Sequence, residues 1–342
     1  MPAIIKIRPL FRRLENFSSR WLLAPPKSLP TSAEKFCSIR RPLLMVAQVQ
    51  RSGGTLFSQL LDGHSELWVF PGEMHIAKPK SSWPTVRPEQ YPSITFRKLV
   101  DHRCIEYARV GYSKTLRGSA KESFNYDVNL HHSQFCAMFR ELPPKSSREI
   151  LDMFFTSFFA TWRRRASNRT DEREPTYYCG FAAGFEADEN AVMRYFRDYP
   201  DGHLVSLLRS PDNWLPSALK KETSRRKFQD VRKALGKWRK SADAIERNLN
   251  LYPGRVTVID FRSLILNTRD VMEEFCTRLG LKFEEAVLSP SFDGLPIESN
   301  SSFQAVKGSI DTSVLLRSAD QVDGLDDCMD IYSSLLKYSV SR

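Results

Sequence analysis

The sequence predicts an α/β fold with a central, mainly parallel sheet flanked by helices. Three observations carry that expectation. Short apolar runs of strand length recur along the chain, at Leu43–Ala47, Tyr177–Phe181, Leu204–Leu208 and Arg255–Phe261. They are nearly continuous rather than alternating, as a sheet covered on both faces requires. Between them lie segments whose apolar residues repeat at helical spacing, and strands alternating with helices favour parallel crossovers.

The first strand gives way at Gln50-Arg51-Ser52-Gly53-Gly54-Thr55 to a helix marked by Leu56, Phe57, Leu60 and Leu61. A short strand over Glu66 to Phe70 is closed by Pro71-Gly72. Residues 77–100 carry Pro79, Pro84, Pro88 and Pro92, which argues against regular helix there, and 101–148 has only weak periodicity. The region 77–176 therefore reads as an irregular or helical insertion that shapes a substrate pocket.

Within that insertion one element is clear. Ile150, Leu151, Phe154, Phe155, Phe158, Phe159 and Trp162 share one helical face, a core stripe, followed by Arg163-Arg164-Arg165. Val192, Met193 and Phe196 mark a helix that ends near Tyr199-Pro200-Asp201-Gly202. Val231, Leu235, Trp238, Ala242, Ile245 and Leu249 mark a long amphipathic helix with a basic outer face. A helix with Val271, Met272, Phe275 and Leu279 follows, and Met329, Tyr332, Leu335 and Leu336 mark the last one.

Composition narrows the class. Hydrophobic residues make up 41% and charged residues 27% of the 342, as in ordinary globular proteins. The net charge of +11 favours anionic partners. Residues 1–40 read as a basic extension and proline-containing linker, with peripheral membrane contact as an alternative, ahead of a single domain over 41–342. No apolar stretch reaches spanning length. Six cysteines without a Cys-x-x-Cys pair read as reduced thiols, which suits a cytoplasmic protein, monomeric or homodimeric.

The glycine turn between strand and helix is built for an anion. The first N–H groups of a helix lack internal partners and carry the positive end of its dipole. Arg51 adds a forked cation, and Ser52 and Thr55 add hydroxyl donors. The Lys-Ser/Thr ending of a nucleotide-triphosphate loop is missing. A second anchor follows the strand Leu204–Leu208, where Arg209-Ser210-Pro211-Asp212 precedes Ser217 by a few residues. In a parallel sheet both anchors lie at the carboxyl edge, where ligands bind.

At these residues the chain resembles the sulfotransferases that use 3′-phosphoadenosine 5′-phosphosulfate (PAPS). Their 5′-phosphosulfate loop is matched by Gln50 to Thr55, with Gln50 for a usual proline and Gly54 for a hydroxyl residue. Their 3′-phosphate motif is matched by Arg209, Pro211 and Ser217, with Ser210 for a usual aspartate. Tyr252 to Leu281 resembles the family's late strand and helix, and Asn300 to Phe303 and Gly308 to Arg317 resemble the C-terminal segment of its bacterial and carbohydrate-type members.

The resemblance implies a P-loop-like three-layer fold and sulfuryl transfer from PAPS to a hydroxyl or amine of a carbohydrate or small-molecule acceptor. The bisphosphate nucleotide PAP would be the product, and neither metal nor nucleic acid would take part. Arg51 would stabilise the leaving phosphate. Ser52, Gly53, Gly54, Thr55, Leu56, Arg209, Ser217, Phe303 and Lys307 would join it in holding the nucleotide. Glu73 is the candidate general base, His75 the alternative, with His64, His131 and His132 behind. Arg262 stands where many relatives carry a carboxylate, and Phe181-Ala182-Ala183 where many carry a lysine turn.

Two other functions fit parts of the chain. A P-loop kinase is disfavoured by the missing lysine. A basic polyanion-binding protein would use Arg163–Arg165, Arg225-Arg226-Lys227 and the Lys233–Lys240 face, but lacks the interleaved aromatics of single-strand binders.

Overall fold

The computed structural model describes residues 38–76, 82–112, 122–162, 174–220, 230–297 and 306–340. Its centre is a six-stranded sheet of β1 (Leu43–Ala47), β2 (Leu67–Val69), β3 (Tyr177–Phe181), β4 (His203–Leu208), β5 (Val256–Asp260) and β8 (Ser339–Val340). The strands lie in the order β2-β3-β1-β4-β5-β8, and every pairing is parallel. A separate hairpin joins β6 (Ser291–Phe292) to β7 (Leu295–Pro296). Met45 of β1 lies between Gly180 of β3 and Leu204 of β4. The chain first passes from β1 to the edge strand β2, returns to β3 beside β1, then crosses to β4 on the other side of β1. That switch opens a crevice beyond the end of β1.

Successive side chains of β1 divide the two faces. Leu43, Met45 and Ala47 enter one core with the insertion helices and their aromatic rings. Leu44 and Val46 enter the other, with α1 (Gly54–Leu61) and helices from the end of the domain. The uninterrupted apolar run is the sum of the two sets.

The insertion is more helical than its prolines suggested. It contains α2 (Pro92–Leu99), α3 (His102–Val110), α4 (Val128–Glu141) and α5 (Ser147–Thr161). Pro92 occupies the first turn of α2, where a missing N–H costs nothing, so it starts a helix rather than forbidding one. Phe96 of α2 meets His131 and Phe135 of α4 and Phe154 of α5, which closes the layer. Arg163–Arg165, like Arg225 to Lys227 and residues 1–37, lie outside the described residues.

After β3 come α6 (Glu189–Asp198), then α7 (Pro211–Lys220) behind β4, and α8 (Val231–Leu251). The strand expected over Arg255–Phe261 stops at Asp260. That carboxylate accepts the Ser263 N–H at 2.8 Å and so caps α9 (Phe261–Leu266). Its other oxygen accepts from the Tyr332 hydroxyl at 2.7 Å, so a carboxylate does end this strand, two residues ahead of Arg262. α10 (Thr268–Arg278) and α11 (Leu325–Leu336) complete the layers. The five described cysteines are free, and no described helix is long and apolar enough to cross a membrane.

One buried ion cluster ties the insertion to the sheet. Arg148 donates to Asp152 at 2.7 Å, to Asp201 at 2.6 Å and to the Arg41 carbonyl at 2.6 Å. Burial raises Asp152 to about 7 in spite of that cation. Arg148→Ala is expected to lower the unfolding free energy by about 3–5 kcal/mol, because Asp152 would stay buried without its partner. Urea unfolding measures this, and replacing Arg148 and Asp152 together by Met and Leu is expected to recover most of the loss.

Candidate active site

The connection from β1 to α1 crosses the crevice, and its surroundings pin it by the backbone. Gly184 N–H donates to the Gln48 carbonyl at 2.8 Å, and Trp214 Nε1 to the Gln50 carbonyl at 2.8 Å. Val49 N–H donates to Ser241 Oγ at 3.1 Å. Gly53 (φ 98°) and Arg51 (φ 79°) both adopt left-handed backbone. For an arginine that conformation costs about 1–2 kcal/mol, and such strain concentrates where a loop is shaped for a ligand.

The turn leaves backbone donors without partners among the described residues. The N–H groups of Gly54, Thr55 and Leu56 take no acceptor among the described residues. Leu56 itself is buried in the core, so its contribution to a ligand is its backbone N–H. Ser52 is fully buried and its hydroxyl has no hydrogen-bond partner among the described residues, an orphan a phosphate oxygen would satisfy. The donor set thus fits the 5′-phosphosulfate end of PAPS.

Gly54 departs from the hydroxyl residue of the resembling loop for a steric reason. A Cβ there would fall on the Gln48 side-chain amide and the Phe181 ring. A Cβ on Gly53 would fall on the Phe261 ring. Gly54→Thr is therefore expected to destabilise the fold by about 1–3 kcal/mol through overpacking. Thermal melting measures it, and adding Gln48→Ala is expected to return part of the loss.

The second anchor meets the first. Arg209, at the end of β4, donates from Nη1 to the Arg51 carbonyl at 2.8 Å and from Nε to Asn213 Oδ1 at 2.7 Å. Its guanidinium lies 4.6 Å from the Phe261 ring centre, and Trp238 Nε1 holds its carbonyl at 2.9 Å. Ser217, one helix turn beyond Asn213 on α7, accepts from Arg51 Nε at 3.2 Å. The serine expected beside Arg209 is thus bonded to Arg51 instead.

A third arginine completes the cluster. Asn213 Nδ2 donates to the carbonyls of Val314 and Arg317, which fastens the 3₁₀ turn Thr312–Leu316 over the site. Burial, then Arg51 and Arg317, push Arg209 down to about 10, and burial and Arg317 lower Arg51 too. Three guanidinium groups that oppose one another's charge are relieved by a polyanion. Neither Asn213 nor Arg317 was singled out from sequence. Asn213 stands four residues after Arg209 on a helix, a spacing that links them; Arg317 arrives from a distant segment with no local signal.

Glu73 occupies the other side of the crevice. Phe70 N–H donates to the Cys179 carbonyl at 2.8 Å and Met74 N–H to the Phe181 carbonyl at 2.7 Å. This carries the turn to the carboxyl end of β3, on the same edge as Arg51. The Glu73 carboxylate lies 3.7 Å from His75 Nε2 and 3.9 Å from Arg103 Nη1. His75 Nδ1 faces the Glu73 carbonyl at 2.7 Å, so it carries the proton and Nε2 keeps its lone pair. Burial and Arg103 lower the His75 pKa, leaving a neutral ring at pH 7. Buried Asp101 accepts the N–H groups of His75 at 2.6 Å and Arg103 at 2.8 Å, which clamps the turn to α3.

The remaining histidines have structural roles. His64 bridges the Lys282 carbonyl and the Glu66 N–H. His131 is buried between Tyr126 and the Phe154 carbonyl, and burial lowers it to about 3. His132 faces Ser93 Oγ at 3.2 Å. Lys307 reaches Glu122 of the insertion at 2.8 Å, beside the β6–β7 hairpin, and Phe303 lies outside the described residues. No cluster of metal-ligating side chains occurs among the described residues.

Comparison with known proteins identifies the family and the fold. Residues 42–285 match the sulfotransferase family. Among solved structures, the sulfotransferase domain of the Synechococcus PCC 7002 olefin synthase is similar with a TM-score of 0.50 at 18% identity, covering 90% of this chain and 99% of that one. The sulfotransferase domain from the curacin biosynthetic pathway is similar with a TM-score of 0.51 at 16% identity, covering 88% and 99%. At such identities the likeness bears on the fold. A search of curated proteins finds none that matches.

Proposed function

Because the chain belongs to the sulfotransferase family, we propose that it moves a sulfuryl group from PAPS to a hydroxyl or amine of a carbohydrate or small-molecule acceptor. The observation that carries the donor assignment is the meeting of Arg51, Arg209 and Arg317 at one crevice, where Arg209 bonds the Arg51 carbonyl at 2.8 Å. Two strand tips thereby offer separate positive pockets for the two phosphate-bearing ends of one nucleotide.

Bound PAPS supplies an activated sulfuryl group whose transfer, like phosphoryl transfer, depends on positioning and on stabilising developing charge. The Gly54, Thr55 and Leu56 N–H groups and the Ser52 hydroxyl hold the 5′ end. Arg209 and Arg317 hold the 3′-phosphate, with Asn213 orienting Arg209 and gripping the Arg317 carbonyl, while Ser217 orients Arg51. Arg51 neutralises charge that builds on the leaving oxygen, in a buried setting where such a cation is most effective. Glu73 takes the proton that the acceptor loses, and His75 and Arg103 set the position of its carboxylate.

Isothermal titration with adenosine 3′,5′-bisphosphate tests the donor assignment. Arg209→Ala is expected to weaken binding about 10- to 100-fold, the value of one or two charge-assisted hydrogen bonds. Absence of binding by the unaltered protein, or equal binding by the variant, would refute it.

A further inference from the structure

Glu186 follows β3 in the short 3₁₀ turn Phe185–Ala187 and is completely buried. Its Oε1 accepts from Ser241 Oγ at 2.6 Å, and Ser241 in turn accepts the Val49 N–H at 3.1 Å. Val49 lies between β1 and Arg51, in the loop assigned above to the donor. One hydroxyl, with one proton to give and lone pairs to receive, therefore joins a buried acid to that backbone.

No cation pairs with the acid among the described residues. Its Oε2 has no hydrogen-bond partner among the described residues. From α8, Arg247 Nη2 and Asn248 Nδ2 donate to the Glu186 carbonyl oxygen, at 3.3 and 3.1 Å, and not to the carboxyl group. Arg247 Nη1 lies 3.8 Å from Glu189 at the start of α6. Burial raises Glu186 to about 7, with the Ser241 bond and its own backbone N–H acting in the opposite direction.

We propose that Glu186 and Ser241 are a positioning pair for the donor loop, through which arrival of the donor's phosphates and protonation of Glu186 favour each other. The proposal rests on the reading of the loop as the donor site. Ionised Glu186 places a negative charge behind a loop that receives phosphates, in an interior that screens it poorly. Protonated Glu186 does not. Linkage makes the effect reciprocal, so donor binding draws a proton from solvent onto this carboxylate, and binding weakens as pH rises through 7. Ser241 carries the change to Val49, because an ionised Glu186 is the stronger acceptor and fixes the hydroxyl.

Titration calorimetry with adenosine 3′,5′-bisphosphate at pH 7, in buffers of contrasting ionisation heat, counts the protons. The wild type is expected to take up about half a proton more per bound nucleotide than Glu186→Gln. Proton changes of the nucleotide itself are common to both and cancel. The ratio of wild-type to Glu186→Gln Kd is expected to rise at least ~5-fold from pH 6 to pH 8.5. The Val49 amide nitrogen should titrate near pH 7 in the wild type and lose that step in Glu186→Gln and in Ser241→Ala. Nucleotide binding with equal proton counts, or a Val49 amide indifferent to all three changes, overturns the pair while leaving the donor site standing. No nucleotide binding by the wild type overturns the donor site itself.

Discussion

Arg51→Ala is expected to slow sulfuryl transfer by roughly 10³-fold in kcat, the range found when one preorganised charge is removed from a transferring group. Its Nε bond to Ser217 fixes the guanidinium, and burial with Arg317 beside it lowers the cost of giving that charge to an anion. Bisphosphate affinity should fall less than kcat, because the product lacks the bond under cleavage. Arg51→Lys restores charge without the fork and is expected to lie between the two. A second readout separates function from folding. Arg51 shares its crevice with two other guanidinium groups, and the substitution removes that like-charge repulsion, so without ligand Arg51→Ala should melt no lower than the wild type. The rise in Tm on adding bisphosphate should shrink. An unchanged rate in single-turnover assays would remove Arg51 from the chemistry.

The parts of the molecule that could be read from sequence are those in which one local pattern decides the outcome. β1, β3 and β4 are buried on both faces, so their apolar runs are unbroken, and the glycine turn follows from the steric need at Gly53. The insertion resisted reading because its first helices bury little. α3 buries only Cys104, and its start is set by the Asp101 cap rather than by an apolar stripe. The two prominent histidines of α4 gave no such pattern either, and His131 proved to be a core residue with both ring nitrogens satisfied.

The site divides along the same line. Arg51, Ser52 and Gly53 are contiguous, and Arg209 and Ser217 share a strand-to-helix unit, so spacing alone relates them. Arg317 enters the same crevice only because Asp311 caps a short turn and Asn213 grips its end. No local spacing encodes that contact. Glu186 was equally silent, since a glutamate between Phe185 and Ala187 looks like any surface acid until the fold buries it.

Glu73→Gln is expected to lower kcat by about 10²–10⁴, the usual contribution of a positioned base. The amide keeps the shape of the side chain and its approach to Arg103 but cannot take the acceptor's proton. Binding of the bisphosphate should be unaltered, because Glu73 stands at the end of β3 and the residues proposed to hold the phosphates stand at the ends of β1 and β4. His75 gives the opposing expectation. Its Nδ1 proton is committed to the Glu73 carbonyl, and burial with Arg103 keeps the ring neutral, so its Nε2 lone pair is available at pH 7. If Nε2 were the base, His75→Gln would cost more than Glu73→Gln and the rate of Glu73→Gln would still respond to the histidine's protonation. With Glu73 as base, His75→Gln costs about tenfold or less, through the position of the carboxylate, and the acid limb of the kcat/KM profile persists in it while disappearing from Glu73→Gln. The two profiles, measured on the same acceptor, decide which atom removes the proton.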